Sequence, residues 1–157
     1  MNRRATTMCI FTGKANDFRR HRAWVALEDQ RDFNHTAALQ FKRELLHDKT
    51  RLITTNYVLD ETYTLLLLNV GYVKTVAFKQ LMDEMTDLNL VAMFHVTPDI
   101  EMEAWNVFER YNRDKAWSFT DCTSKVLMER LGLVEVFTFD HHFDQMNLIR
   151  KPFLHRF

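Results

Sequence analysis

Apolar residues recur along this chain with a helical period in some stretches and as short β-prone runs in others. The alternation between the two predicts an architecture. Ala23–Glu28 and His35–His47 carry the helical pattern, the second with apolar or small residues at Ala38, Leu39, Phe41, Leu45 and Leu46. Arg51–Ile53 is a short strand candidate, and Thr54-Thr55-Asn56 supplies caps for a helix running to about Val70. Gly71 breaks that helix before another, Val73–Leu88. Leu90–Val96 is a β-prone apolar run, after which Pro98 and Asp99 open a helix to about Asn112. Ser118-Phe119-Thr120-Asp121 has capping-box character, with Asp where Glu or Gln is commoner, and starts a helix ending near Gly132. Val134–Phe139 reads as a strand, followed by Asp140 and a short helical turn. Strands separated by helices imply βα units on a parallel, covered sheet. The predicted fold is therefore α/β, a three-layer α/β/α sandwich with a short central parallel sheet. Residues 18–157 are expected to make one domain, with 1–17 an irregular or mis-framed leader.

Composition narrows the class. A chain of 157 residues has the length of one domain, and 46% hydrophobic with 27% charged residues is ordinary for a globular protein. Only 3 Gly and 2 Pro argue for helices joined by short connections. Lys+Arg and Asp+Glu balance at 21 each, so net charge lends no support to a nucleic-acid-coating protein. A basic patch beside an acidic site remains compatible with that balance. Cys9 and Cys122 form no metal or redox spacing and read as reduced, buried residues of a cytoplasmic protein. The longest apolar run, around Leu65–Leu68, is far too short to span a membrane. Arg3, Arg4 and Lys14 without an acid before Asn16 imitate a transit peptide but lack its amphipathic length.

Three carboxylates stand where chemistry is expected in such a sheet, outside the carboxyl ends of its strands. Asp140 directly follows a strand, although an N-cap for His141-His142-Phe143 accounts for it equally well. Glu61 falls within a helical stripe of Tyr57, Val58, Leu65 and Leu68, where a carboxylate must be paired, protonated or metal-bound. The competing reading of Glu61 is a buried ion pair. Asp60 points away from the stripe. Asp121 lies in a first turn among Ser118, Thr120, Thr123 and Ser124, where capping alone is a sufficient explanation. Gathered together, three carboxylates repel one another unless a cation is present, and all-oxygen ligands match Mg2+ or Mn2+.

The segments Ile53-Thr-Thr-Asn-Tyr-Val-Leu-Asp-Glu61-Thr, Ser118-Phe-Thr-Asp121-Cys and Phe137-Thr-Phe-Asp140 resemble the successive motifs of PIN domains. Asp32-Phe-Asn-His35-Thr-Ala-Ala is similar to the segment after the first helix in small bacterial members of the VapC toxin type. The resemblance spans about Phe18 to Phe153. It implies a divalent-metal-dependent endoribonuclease with Glu61, Asp121 and Asp140 as catalytic residues and metal ligands. Asp114 would be a peripheral acid and Ser118 would orient a carboxylate or phosphate. The implied cofactor is Mg2+ or Mn2+ and the implied partners are an RNA substrate and a cognate antitoxin. The apolar helices Tyr57–Val70 and Val73–Leu88 suit an antitoxin groove or a homodimer interface.

One family feature is missing. PIN domains begin with a strand ending in Asp-Thr-Ser or similar, and counting back from Ala23-Trp24-Val25-Ala26-Leu27 puts that Asp at Arg20. Asp17 is the nearest acid. Met8-Cys9-Ile10-Phe11-Thr12 supplies the strand only with a shifted register. Arg19-Arg20-His21-Arg22 can be encoded as CGT-CGA-CAC-CGG, and reading from the next base gives Val-Asp-Thr-Gly, a version of the missing motif. The expectation is that residues 1–22 are a frame-shifted reading, and that the chain as written binds metal weakly and cleaves RNA poorly.

Two other classes compete with the nuclease. A catalytically silent PIN module binding RNA or a protein partner is favoured by Arg20. A receiver-like or phosphatase-like domain using Asp121 or Asp140 lacks a matching lysine motif. His141-His142 lacks a further ligand at zinc spacing. Lys42, Arg43, Arg110, Arg113, Lys115, Arg130, Arg150 and Lys151 are candidate phosphate contacts. Trp105, Trp117, Phe108 and Tyr111 are candidate stacking residues, with core packing favoured for Trp105 and Phe108.

Overall fold

A computed structural model describes residues 6–9, 23–47 and 50–151. Its elements in order are strand β1 (Thr6–Cys9), helices α1 (Ala23–Glu28) and α2 (His35–His47), strand β2 (Arg51–Thr55), and helices α3 (Asn56–Val70) and α4 (Tyr72–Asp87). Strand β3 (Val91–Phe94), helices α5 (Pro98–Tyr111) and α6 (Phe119–Leu131), and strand β4 (Glu135–Phe137) follow. A 3-10 turn (His141–Met146) and strand β5 (Ile149–Lys151) complete the described chain. The five strands form one sheet of order β3-β2-β1-β4-β5, and every described pairing is parallel.

The sheet order gives the topology its shape. From β1 the chain moves outward through β2 to β3, then crosses back to β4 and on to β5. Right-handed crossovers therefore set α1–α4 on one face and α5–α6 on the other, which is the expected α/β/α sandwich. Thr6–Cys9 falls within the span expected to be an irregular leader, yet it occupies the sheet centre. It pairs with β2 from Thr6↔Arg51 to Met8↔Ile53 and with β4 at Met8↔Val136 and Cys9↔Phe137. Without an extended segment there, β2 and β4 would each present an unpaired inner edge. Strand β5 was not predicted, because three residues are too few to show a period.

Each helix buries the face its sequence offers. On α3 the buried positions are Val58, Leu59, Thr62, Leu65 and Leu66. Thr55 caps it, its hydroxyl accepting from the Val58 amide at 3.1 Å. Helices α1 and α3 both close on α4 through Phe78, whose ring makes edge contacts with Trp24 and Tyr63. Phe41 of α2 packs edge-on against Phe137 of β4, with ring centroids 4.9 Å apart. Trp117 is buried, and Asn112 pins it by accepting from its amide at 2.8 Å and donating to its carbonyl at 2.9 Å. No helix of the described residues is long and apolar enough to cross a membrane.

Candidate functional site

Because the strands run the same way, their carboxyl ends share one edge, and three elements carry an acid toward it. Helix α3 begins directly where β2 ends, so Glu61 sits just past that edge. Helix α6 feeds β4 from the opposite edge, so its first turn, with Asp121, lies at the carboxyl side. Asp140 follows β4 after Thr138 and Phe139. Strands β1 and β4 flank the point where the sheet order reverses, the place where open α/β sheets hold ligands.

The first turn of α6 is rigid. The Ser118 hydroxyl accepts from the Asp121 amide at 3.0 Å, and the Ser118 amide donates to Asp121 Oδ2 at 2.7 Å, a complete capping box. Ser118 thus orients the Asp121 carboxylate, which is 1% exposed. Next to it, Thr120 donates from Oγ1 to Glu61 Oε1 at 2.7 Å, tying α6 to α3. Asn56, at the start of α3, accepts from the Val96 amide at 2.7 Å and so anchors that helix to the segment after β3. Asn56, Tyr57, Asp60, Glu61 and Thr120 line an open cleft of about 420 Å3. Burial, with the Asp121 carboxylate beside it adding to the effect, pushes the Cys122 thiol up to about 12.

Asp140 is buried and caps the 3-10 turn, its Oδ1 accepting from the His142 amide at 2.9 Å. The Asp140 amide in turn donates to Thr138 Oγ1 at 3.1 Å. His142 Nδ1 lies 3.4 Å and His141 Nδ1 3.9 Å from Asp140 Oδ1. Both readings of Asp140 therefore coexist, a cap and an acid at a strand end.

The donors are the right kind for a hard divalent cation, being carboxylate oxygens held by neighbouring amides and hydroxyls. Their number falls short: among the described residues no three His, Cys, Asp or Glu side chains are grouped to hold a metal ion. Arg20 and Asp17 lie outside the described residues.

Several expectations are corrected. Glu61 is half-buried, not central in an apolar stripe, because the buried face of α3 is turned toward Thr62 and leaves Leu68 68% exposed. Glu61 Oε1 accepts from the hydroxyl of Thr120, a partner the sequence reading did not name. Trp105 is 51% exposed, not core, and stacks on Phe108 at 5.3 Å between centroids. Asp114 is exposed and pairs with Lys115. Several basic residues are engaged by acids: Arg130 by Asp99 and Glu103, Arg150 by Asp144, and Lys151 by Glu135. Thr120 was not singled out as a functional residue, because its partner lies 59 positions away and no local pattern encodes that meeting.

An all-parallel α/β/α domain with acids at the carboxyl edge, beside the reversal of strand order, defines the class to which this chain is assigned. The PIN domain family model matches residues 22–148, and the chain belongs to that family. Within it the chain is VapC-like. It is 31% identical over 126 residues to VapC20 of Mycobacterium tuberculosis, a 23S rRNA-specific endonuclease, covering 80% of this chain and 90% of that protein. It is 33% identical over 93 residues to a VapC ribonuclease of Archaeoglobus fulgidus, covering 59% and 56% of the two chains. The crystal structure of Mycobacterium tuberculosis VapC20, described as a sarcin-ricin loop cleaving toxin, superposes with a TM-score of 0.70 at 28% identity. That superposition covers 91% of this chain and 97% of the other.

Proposed function

We propose that this chain is built as an endoribonuclease of the VapC toxin type and that, with the sequence it carries, it is a weak one. The observation that carries the reading is the Glu61–Thr120 hydrogen bond, which draws an acid of α3 to the turn that holds Asp121. The family resemblance assigns Mg2+ or Mn2+ to Glu61, Asp121 and Asp140, and because no three such side chains are grouped among the described residues, this set by itself is a poor cation site. The weakness follows from the first motif. Counting back from Ala23, the position where the family pattern expects Asp is Arg20, which offers a cation no carboxylate. The family match also begins only at residue 22. By likeness to VapC20, the substrate would be structured ribosomal RNA in the cytoplasm.

The second reading, a silent module that binds a partner, is favoured by an exposed apolar corner. Leu67 and Leu68 at the end of α3 and Tyr72 and Val73 at the start of α4 are 51–78% exposed. An antitoxin, or a second copy in a homodimer, would cover such a surface.

The test is Mn2+- and Mg2+-dependent cleavage of a sarcin-ricin loop RNA. The full chain is compared with a variant carrying Arg19→Val, Arg20→Asp, His21→Thr and Arg22→Gly, both checked by thermal melting. Expected is slow or absent cleavage by the chain as it stands and a gain of at least about a hundredfold in the variant, lost again on Asp121→Asn. Appreciable metal-dependent cleavage by the unaltered chain, abolished by Asp121→Asn, would overturn the claim of weakness. No cleavage by either protein would favour the silent module.

A further inference from the structure

We propose that the exposed ring of Trp105 is a stacking platform for an unpaired nucleobase of RNA, an inference that rests on the RNA-directed reading just given. Of the three tryptophans, Trp24 and Trp117 are 4% and 3% exposed, whereas Trp105 is 51% exposed. Its ring is also held from behind. It stacks on Phe108, one helical turn further along α5, with centroids 5.3 Å apart and planes 14° from parallel. Phe119, the first residue of α6, meets both rings, at 6.3 Å from Trp105 and 6.4 Å from Phe108. Phe108 and Phe119 are half-buried, so they root the indole between α5 and α6 and restrict the plane it presents. One face of the indole is covered by Phe108, and half of the residue stays in water.

This platform is continuous with the cleft at the sheet edge. The Phe119 ring lies 6.4 Å from that of Tyr57, and Tyr57 lines the cleft together with Glu61 and Thr120. Tyr57 is itself tied to α5, its hydroxyl donating to Glu101. Two ring contacts therefore connect Trp105 with the cleft, so one RNA strand can reach both. Electrostatics decide which part of a nucleotide belongs on the ring. Glu101 and Glu109 stand four residues before and after Trp105 and share its helix face. Their charges repel phosphate, so a neutral base lies on the ring and the sugar–phosphate backbone runs clear of it. Carboxylates also accept from the amino groups of adenine, cytosine and guanine. Within a duplex the base faces are closed by their neighbours, so the ligand is a base from a loop, a bulge or a single strand.

The full, unaltered chain is titrated with a sarcin-ricin loop hairpin and with a fully paired duplex of its stem, in EDTA and again in Mg2+. Tryptophan emission and the anisotropy of end-labelled RNA are read together. Because Trp24 and Trp117 are buried, quenching reports Trp105. Expected is saturable quenching by the hairpin and little by the duplex. Hairpin affinity should fall about tenfold in Trp105→Ala and Trp105→Leu, and less than about threefold in Trp105→Phe. The Leu variant keeps apolar area and the Phe variant the flat π-face, so affinity should follow the aromatic ring and not the melting temperature recorded for each. Hairpin binding without quenching, binding undiminished in Trp105→Ala, or a Leu variant that binds like Phe overturns the inference and leaves the RNA-directed reading intact. Equal quenching by duplex and hairpin overturns it in the same way. Trp105 emission that responds to protein concentration and not to RNA would mark a protein-binding surface and overturn it too. Absence of RNA binding in both conditions overturns the RNA-directed reading, and the inference with it.

Discussion

Asp121 and Cys122 are neighbours taken almost wholly out of water, and their chemistry diverges for that reason. The Asp121 carboxylate is supported by the Ser118 amide, whereas burial and the neighbouring Asp121 charge raise the Cys122 thiol against a smaller opposing pull from Lys125. With its pKa pushed up to about 12, only about one thiol in a hundred thousand is thiolate at neutral pH. Iodoacetamide should leave Cys122 unmodified in the native protein and label it in denaturing urea, as read by peptide mass spectrometry. Native labelling at the rate of a free cysteine would contradict this. Gly71 is a second residue whose role is local. Its φ of 87° and ψ of 174° suit glycine alone, and a Cβ added there meets nothing within 4 Å. Gly71→Ala should therefore cost backbone strain without a clash, roughly 1–3 kcal/mol in a urea titration. Residue-level features of this kind were legible beforehand, since the capping box at Ser118 and the break at Gly71 are encoded by adjacent residues.

Helices α5 and α6 are joined by Arg130, which reaches Asp99 at 2.6 Å and Glu103 at 2.7 Å. Hydrogen bonds from the Thr97 hydroxyl and from Arg130 hold the Asp99 carboxyl down to about 2. A group with a lowered folded pKa stabilises fully above its unfolded value of 3.8, and that stabilisation is lost as pH falls through about 2. Arg130→Met should lower the melting temperature modestly near neutral pH. The difference should shrink in high salt and close as acid is added through that window, because both partners are exposed. A difference that persists in acid would point to packing by the arginine stem. At this scale α1 and α2 coincide with their sequence patterns, and α3 to α6 depart by a residue or so. The short strands were less legible: β4 is shorter than its apolar run, β1 meets the Met8–Thr12 candidate only at Met8 and Cys9, and β5 had no sequence signal.

Across the whole molecule, the local patterns determined the fold class and singled out the candidate acids. Periodicity, caps and helix breaks act within a few residues of chain, so they survive in the sequence without any partner. Asp121 and Asp140 could be named for the same reason, by their places at a helix start and after a strand, and Glu61 by a helical stripe that the tertiary structure turned aside. Tertiary structure alone decided that Thr6–Cys9 fills the sheet centre, that α3 turns Leu68 outward, and that Trp105 is half in solvent. It also decided that Thr120 meets Glu61 across 59 residues. Each of these depends on which surfaces come together, and the free energy of that packing belongs to contacts between segments distant in the chain.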